Sequence, residues 1–121
     1  MNKVIICGTI ENLKFSEVNN KEKTNFKINF NDVFFNKKSN KSVERKQTLS
    51  CVAWSSISSE IKKYFKENDE VCLVGRLFNI QSENNSIKTI IIVQAIEHFN
   101  KERKKELFSE IWADLNSFVD E

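Results

Sequence analysis

The sequence predicts an all-β fold with one inserted helix, in which five strands form a small barrel and an amphipathic helix follows. Three observations support this prediction. Apolar residues alternate with period two, or form short continuous runs, in five segments between residues 2 and 99. The period becomes helical between the third and fourth segments. It becomes helical again after residue 101, so we expect one domain at 1–100 and a C-terminal helix with an acidic end at 101–121.

The predicted strands follow one another with polar connections. They are expected at residues 2–10, 24–35, 47–54, 70–80 and 87–99. The connections are a turn at 11–23, a charged loop at 36–45, a helix at 55–67 and a turn at 81–86. Alternation is clearest in TNFKINF (24–30), which assigns Phe26, Ile28 and Phe30 to the core.

The inserted helix is indicated by a stripe of apolar residues at helical spacing. The stripe consists of Ile57, Ile61 and Tyr64 or Phe65. Ser55 or Ser56 is expected to cap its start, and Asn68 to take the left-handed conformation after its end. Three strands, a helix and two strands is the element order of the OB-fold, a small and partly open barrel.

The chain contains two glycines, and both stand inside predicted strands: Gly8 in VIICGTI and Gly75 in VCLVGRL. Glycine weakens a strand but permits a sharp bend or the close approach of another backbone. The first strand of such a barrel must bend to pair with two neighbours. We therefore interpret both glycines as part of the barrel's curvature, because neither belongs to a glycine-rich phosphate loop.

The charge is unevenly distributed along the chain. Residues 1–105 hold all 19 lysines and arginines and 12 of the 17 acids, whereas residues 106–121 hold five acids and no base. A basic body with an acidic end indicates binding of a polyanion.

The cysteines and the histidine do not suggest a catalytic or metal centre. Cys7, Cys51 and Cys72 each lie in an apolar segment, and we interpret them as buried reduced thiols. The single histidine, His98, has no second ligand near it, so no zinc site is expected. We expect no cofactor and no enzyme activity, and neither a membrane span nor a signal peptide. A reducing, cytoplasmic location is expected.

Several motifs, in order and at matching spacing, resemble the bacterial-type single-stranded-DNA-binding protein family over residues 1–99. They are NKVIICGTI, FKINFNDVFF, CVAWSSISSEIKKYFKEND and EVCLVGRL. The resemblance implies a homo-oligomer of OB-folds that binds single-stranded DNA without sequence specificity, in DNA replication, recombination and repair.

The resemblance also implies site residues. Phe34 and Trp54 fall at positions where the family stacks bases on aromatic rings, whereas two further family tryptophans fall on Thr48 and Ser82. The aromatics that could compensate are Phe35 and Phe78. The candidate phosphate-binding cations are Lys3, Lys27, Arg76, Lys37, Lys38, Lys41, Arg45 and Lys46. The competing interpretations are core packing for the aromatics and a solvated loop for the loop lysines.

The segment 101–119 carries an apolar seam predicted to bind a partner, formed by Leu107, Phe108, Ile111, Trp112, Leu115 and Phe118. This helix either docks on its own barrel or a second copy, or recruits a replication or recombination enzyme. The alternative function is therefore an OB-fold accessory subunit that acts mainly through protein–protein contacts, which the loss of two stacking positions favours. An RNA ligand also stays open, because stacking hardly separates RNA from DNA.

Overall fold

The computed structural model describes residues 1–99. The elements are β1 (Val4–Val18), β2 (Lys21–Asn36), β3 (Lys41–Trp54), α1 (Ser55–Tyr64), β4 (Glu70–Gln81) and β5 (Ile87–His98). The predicted order of three strands, a helix and two strands is confirmed. The C-terminal helix and its six partner-binding candidates, Leu107, Phe108, Ile111, Trp112, Leu115 and Phe118, lie outside the described residues.

The strands close into a barrel in the order β1-β2-β3-β5-β4. Neighbouring strands are antiparallel, except that β3 and β5 pair in parallel through Cys51–Ile91 and Val52–Ile92. Within residues 1–99, no helix has the length and apolar character that a membrane crossing requires.

Two of the predicted connections are in fact strand. The polar stretch 11–23 holds the second half of β1, a two-residue turn at Asn19 and Asn20, and the start of β2. Both asparagines have positive φ, 51° and 64°, the geometry of the tight turns that match the twist of a hairpin. Likewise, the charged loop predicted at 36–45 is reduced to a turn at residues 37–40. Beyond the barrel neither face of the β2–β3 ribbon is buried, so no apolar alternation marks these residues as strand.

The core lies inside the barrel and under α1. Its fully buried large side chains include Ile10, Ile28, Ile61, Leu73 and Ile91. Phe26 is buried as well, and Phe30 packs against this core in a half-buried position. The core assignments made from the alternation in TNFKINF are therefore confirmed.

The helix α1 begins differently from the prediction. Its N-cap residue is Trp54 and no side chain caps it, so the expected serine cap is wrong. Ser55 has φ of 54°. Ser58 is the serine with a buried partner, since its hydroxyl lies 2.6 Å from that of Thr24 on β2. At the other end, Asn68 takes the expected left-handed conformation, with φ of 72°.

The two glycines lie where neighbouring backbones come very close. A Cβ at Gly8 would stand 2.3 Å from the carbonyl oxygen of Asn29, and one at Gly75 would stand 2.4 Å from that of Ile92. Gly75 also follows a shift in the β4–β5 register. Both glycines therefore permit the close approach of a neighbouring backbone, and their part in the barrel's curvature stays a prediction.

The expectation of three reduced thiols is wrong for two of them. Cys7 and Cys72 face each other across β1 and β4, with Cα atoms 4.0 Å apart, and form a disulfide. They are 65 residues apart in sequence, so only the strand pairing brings them together. Cys51 is free and buried, and its burial raises the pKa of the thiol to about 12.

Candidate nucleic-acid interface

The strand registers define one outer face of the barrel, on the side of β1, β2, β3, β5 and β4 that is turned away from the core. Phe26 and Ile28 are buried, so Lys27 between them points to this outer face. Lys27 pairs with Ser50 on β3. Trp54 is four residues further along β3 and therefore shares the outer face.

The outer face continues across the parallel strand pair. Val52 pairs with Ile92 of β5, and Ile92 pairs with Arg76 of β4. Phe78 is two residues beyond Arg76 on the same face. Four sequence-predicted site residues, Lys27, Trp54, Arg76 and Phe78, are thus brought to one surface by the barrel.

A groove of about 510 Å³ runs across the outer face. It is lined by four lysines, Lys14, Lys23, Lys27 and Lys88, and by apolar side chains that include Val52, Ile80 and Ile90. No acid is found among its described lining residues. The groove therefore offers a positive and partly apolar concave surface.

Three of these four lysines were not predicted from the sequence. Lys23 could have been found, because the alternation of Phe26 and Ile28 with Lys27 extends back to it. Lys14 could not, since a shift in the β1–β2 register between Glu11 and Lys14 changes the face on which it lies. Lys88 lies at the exposed start of β5, where no alternation indicates a face.

Three of the four predicted stacking aromatics have a cation over the ring. The pairs are Lys23 with Trp54 at 5.0 Å, Arg45 with Phe34 at 5.2 Å and Arg76 with Phe78 at 5.8 Å, measured to the ring centroids. A cation beside a ring places positive charge next to a stacking surface.

The rings of the predicted stacking residues are accessible. Phe34, Phe35 and Phe78 are 38, 57 and 45 per cent exposed, compared with 2 per cent for the core residue Phe26. Trp54 is half-buried and lines a hollow of about 390 Å³ beside the β1–β2 turn. Core packing therefore does not account for these four aromatics.

Phe34 and Phe35 lie on opposite faces of the β2–β3 ribbon. The register between these strands is uniform along the ribbon, so Phe35 shares the outer face with Lys27 and Trp54. Phe34 continues the face of Phe26 beyond the barrel. The two aromatics carried over from the family resemblance, Phe34 and Trp54, therefore lie on opposite faces of the ribbon.

The remaining predicted cations lie apart from the groove lining. Lys37 and Lys38 occupy the hairpin turn, and Lys41 and Arg45 belong to β3. Lys3 precedes β1 and is half-buried. Lys46 lines a separate hollow of about 330 Å³ with Cys7, Gly8 and Asn29.

The two positions where stacking residues are missing are both polar here. Thr48 pairs with Asn29 on the outer face. Ser82 lies in the β4–β5 turn, where its amide donates to the carbonyl of Ser86.

Within residues 1–99, no group of three or more His, Cys, Asp or Glu side chains is placed to hold a metal ion.

The barrel order, with α1 between β3 and β4 and an outer face of rings and lysines, defines an OB-fold protein. The model of the single-strand binding protein family matches residues 1–99. The chain belongs to this family. The search of curated proteins found no match.

Solved structures of low sequence identity share the fold. An SSB of Plasmodium falciparum in complex with ssDNA is 16% identical, with a TM-score of 0.74 over 83% of this chain and 96% of that one. A deletion mutant of the single-stranded DNA binding protein from Thermus aquaticus is 13% identical, with a TM-score of 0.74 over 85% and 52% of the two chains. The small single-stranded DNA-binding protein from Streptomyces coelicolor is 18% identical, with a TM-score of 0.62 over 85% and 97%.

Proposed function

We propose that this protein binds single-stranded DNA without sequence preference, stacking bases on aromatic rings and holding phosphates with the lysines of the outer-face groove. The observation that carries the proposal is the groove of about 510 Å³ lined by Lys14, Lys23, Lys27 and Lys88. Family membership supports the same ligand. One of these lysines, Lys23, also lies over the ring of Trp54.

Stacking explains why no particular sequence is needed. Every base has a flat π-face, and stacking on an aromatic side chain contributes about 1–3 kcal/mol per base. Trp54 and Phe78 present such rings on the outer face, each beside a cation. A duplex keeps its bases paired and stacked on each other, so single strands are preferred.

The lysines supply the remaining affinity and make it depend on salt. Each phosphate that a lysine neutralises releases a condensed counterion, and the slope of log K against log salt is about −0.7 per contact for single strands. The four groove lysines can neutralise several neighbouring phosphates. Arg76 adds a guanidinium next to Phe78.

The cellular role rests on the family and on sequence. We place the protein in DNA replication, recombination or repair, because these processes expose single strands. A cytoplasmic location and a homo-oligomeric state stay predictions, and the Cys7–Cys72 disulfide counts against a reducing compartment. The accessory role through residues 101–119 concerns a segment outside the described residues and stays a prediction, as does the division into domains 1–100 and 101–121.

The test is a titration of labelled oligo-dT, oligo-U and duplex DNA, followed by fluorescence anisotropy. We expect oligo-dT to bind far more tightly than duplex, and Trp54→Ala to weaken oligo-dT binding by roughly 5- to 150-fold. The control is Tyr64→Ala, since Tyr64 is an exposed aromatic on α1 with Lys63 over its ring at 5.3 Å.

Equal affinity for duplex and single strand would contradict the proposal. So would a Trp54→Ala variant that binds oligo-dT as tightly as Tyr64→Ala. Tighter binding of oligo-U than oligo-dT would instead favour an RNA ligand.

A further inference from the structure

We propose that Glu67 is a positioning residue for the groove, because it fixes the β-bulge that puts Lys14 on the outer face. This inference rests on the proposed function, since it assigns to Lys14 a contact with DNA. Glu67 is exposed and follows α1, outside the groove lining. It therefore acts on the strand rather than on the ligand.

The bulge lies in β1 at Asn12 and Leu13. Glu11 pairs with Lys27 and Lys14 pairs with Asn25, so two residues of β1 stand opposite Phe26 of β2. Asn12 has φ of 57°, a left-handed conformation that asparagine adopts more easily than most residues. The extra residue of a bulge leaves backbone groups without partners in the ladder.

Glu67 supplies partners for the amides of the bulge. Its Oε2 accepts the amide proton of Asn12 and its Oε1 that of Leu13, each at 2.9 Å. Hydrogen bonds to a charged carboxylate are shorter and stronger than those between neutral groups. Both oxygens of one side chain therefore hold two consecutive amides of β1.

Two backbone hydrogen bonds from the residues directly after Glu67 also join this segment to β1. The amide of Asn68 donates to the carbonyl of Ile10 at 2.9 Å, and the amide of Ile10 donates to the carbonyl of Asp69 at 3.0 Å. Backbone groups of Asn68 and Asp69 therefore bond to Ile10 before the bulge. The Glu67 side chain bonds to the two amides of the bulge itself.

The bulge determines which face Lys14 occupies. Continuing the register of Glu11–Lys27 without the bulge would pair Lys14 with Thr24, whose side chain is completely buried. With the bulge, Lys14 pairs with Asn25 and lines the groove with Lys23 and Lys27. A one-residue shift in a strand turns each side chain to the other face. We call the two hydrogen bonds from the amides of Asn12 and Leu13 to the Glu67 carboxylate the latch. Loss of the latch should therefore remove Lys14 from the groove.

The direction in which Glu67→Ala changes the affinity for oligo-dT separates a positioning role from simple electrostatic repulsion. Glu67 is negative and close to a site for a polyanion, so removing its charge should by itself strengthen binding. Positioning predicts the opposite. We expect Glu67→Ala to weaken oligo-dT binding by roughly three- to tenfold and to reduce the magnitude of the salt slope by about 0.7, as for Lys14→Ala.

Three variants complete the binding experiment. The double variant Lys14→Ala/Glu67→Ala should bind no more weakly than Lys14→Ala, because both changes remove the same contact. Glu67→Gln keeps one oxygen acceptor without the charge and should bind more tightly than Glu67→Ala. Glu60→Ala, which removes an exposed acid from α1, serves as the control for loss of charge.

The latch itself is measured without DNA. Hydrogen exchange followed by NMR should show the amides of Asn12 and Leu13 protected in the intact protein and faster in Glu67→Ala, while amides in β5 stay unchanged. Unchanged exchange at Asn12 and Leu13 overturns the latch. Binding by Glu67→Ala that is as tight as by Glu60→Ala, or tighter, overturns positioning. Failure of the intact protein to bind oligo-dT overturns the proposed function, and the exchange measurement still decides the latch.

Discussion

At the scale of residues, the proposed site consists of rings with a cation beside them. Lys23 stands over Trp54 and Arg76 over Phe78. A cation that covers one face of an exposed ring leaves the other face for a base, and its charge is then close to that base's phosphate. In the proposed mode of binding, stacking and neutralisation therefore come from adjacent side chains, and each pair would offer one nucleotide both interactions.

Substitutions of Phe34 and Phe35 are expected to weaken the binding of DNA strands of different lengths. A short strand confined to the outer face can reach Phe35, whereas contact with Phe34 requires the strand to pass around the ribbon. Phe35→Ala should weaken binding of oligo-dT of roughly 8 nucleotides, and Phe34→Ala only that of roughly 30 nucleotides. Anisotropy titrations with both lengths measure this. Equal losses for both variants with the short oligonucleotide would show that the two faces are not separate.

Sequence patterns predict the face on which a candidate site residue lies where the strand is regular. Lys27 alternates with buried phenylalanine and isoleucine, so its outward direction follows from period two. Lys14 is separated from this pattern by the bulge, which depends on Glu67 more than 50 residues away. The periodicity of one strand cannot reveal a contact with a residue that only the folded chain brings next to it.

At the scale of elements, β1 pairs with both β2 and β4, and one of the two tight glycine positions lies on it. Gly8 stands where the backbone of β2 is so close that a side chain has no room. The apolar run of this strand was predictable, whereas its length was not. Its second half leaves the barrel and pairs with β2 in an exposed ribbon that turns on Asn19 and Asn20.

Substitution of a strand glycine by alanine should destabilise the barrel more than the addition of one methyl group suggests. A Cβ at Gly8 would lie 2.3 Å from a backbone oxygen, which cannot move aside without breaking the β1–β2 pairing. We expect Gly8→Ala to lower the free energy of unfolding by about 2–3 kcal/mol. Urea denaturation measures this, with Ser16→Ala on the exposed part of β1 as the control. A Gly8→Ala variant as stable as Ser16→Ala would contradict the close approach.

At the scale of the whole molecule, the barrel is closed along the β1–β4 seam. Cys7 and Cys72 are register partners in this seam. The sequence predicted the order of the elements and much of the core, because both follow from local periodicity. The disulfide could not be predicted in this way, since three cysteines in three apolar segments give no indication of which two strands are neighbours.

The disulfide predicts a specific pattern of thiol reactivity. Of the three cysteines in the chain, Cys51 is free, and burial raises its pKa to about 12, so it stays protonated and unreactive at neutral pH. The native protein should therefore yield almost no titratable thiol. After denaturation without reductant it should yield one thiol per chain, and after reduction three. Three thiols per denatured chain before reduction would show that Cys7 and Cys72 are not joined.

Closure by the disulfide should also stabilise the fold, because the bond joins residues 65 positions apart and restricts the unfolded chain. Such bonds typically contribute about 2–4 kcal/mol, which corresponds to a fall in Tm of roughly 10–20 °C on reduction in a domain of this size. The double variant Cys7→Ser/Cys72→Ser should melt close to the reduced protein and respond no further to reductant. If reduction leaves the Tm of the unmodified protein unchanged, the seam is held by strand pairing and packing alone, and the bond between Cys7 and Cys72 adds nothing to closure of the barrel.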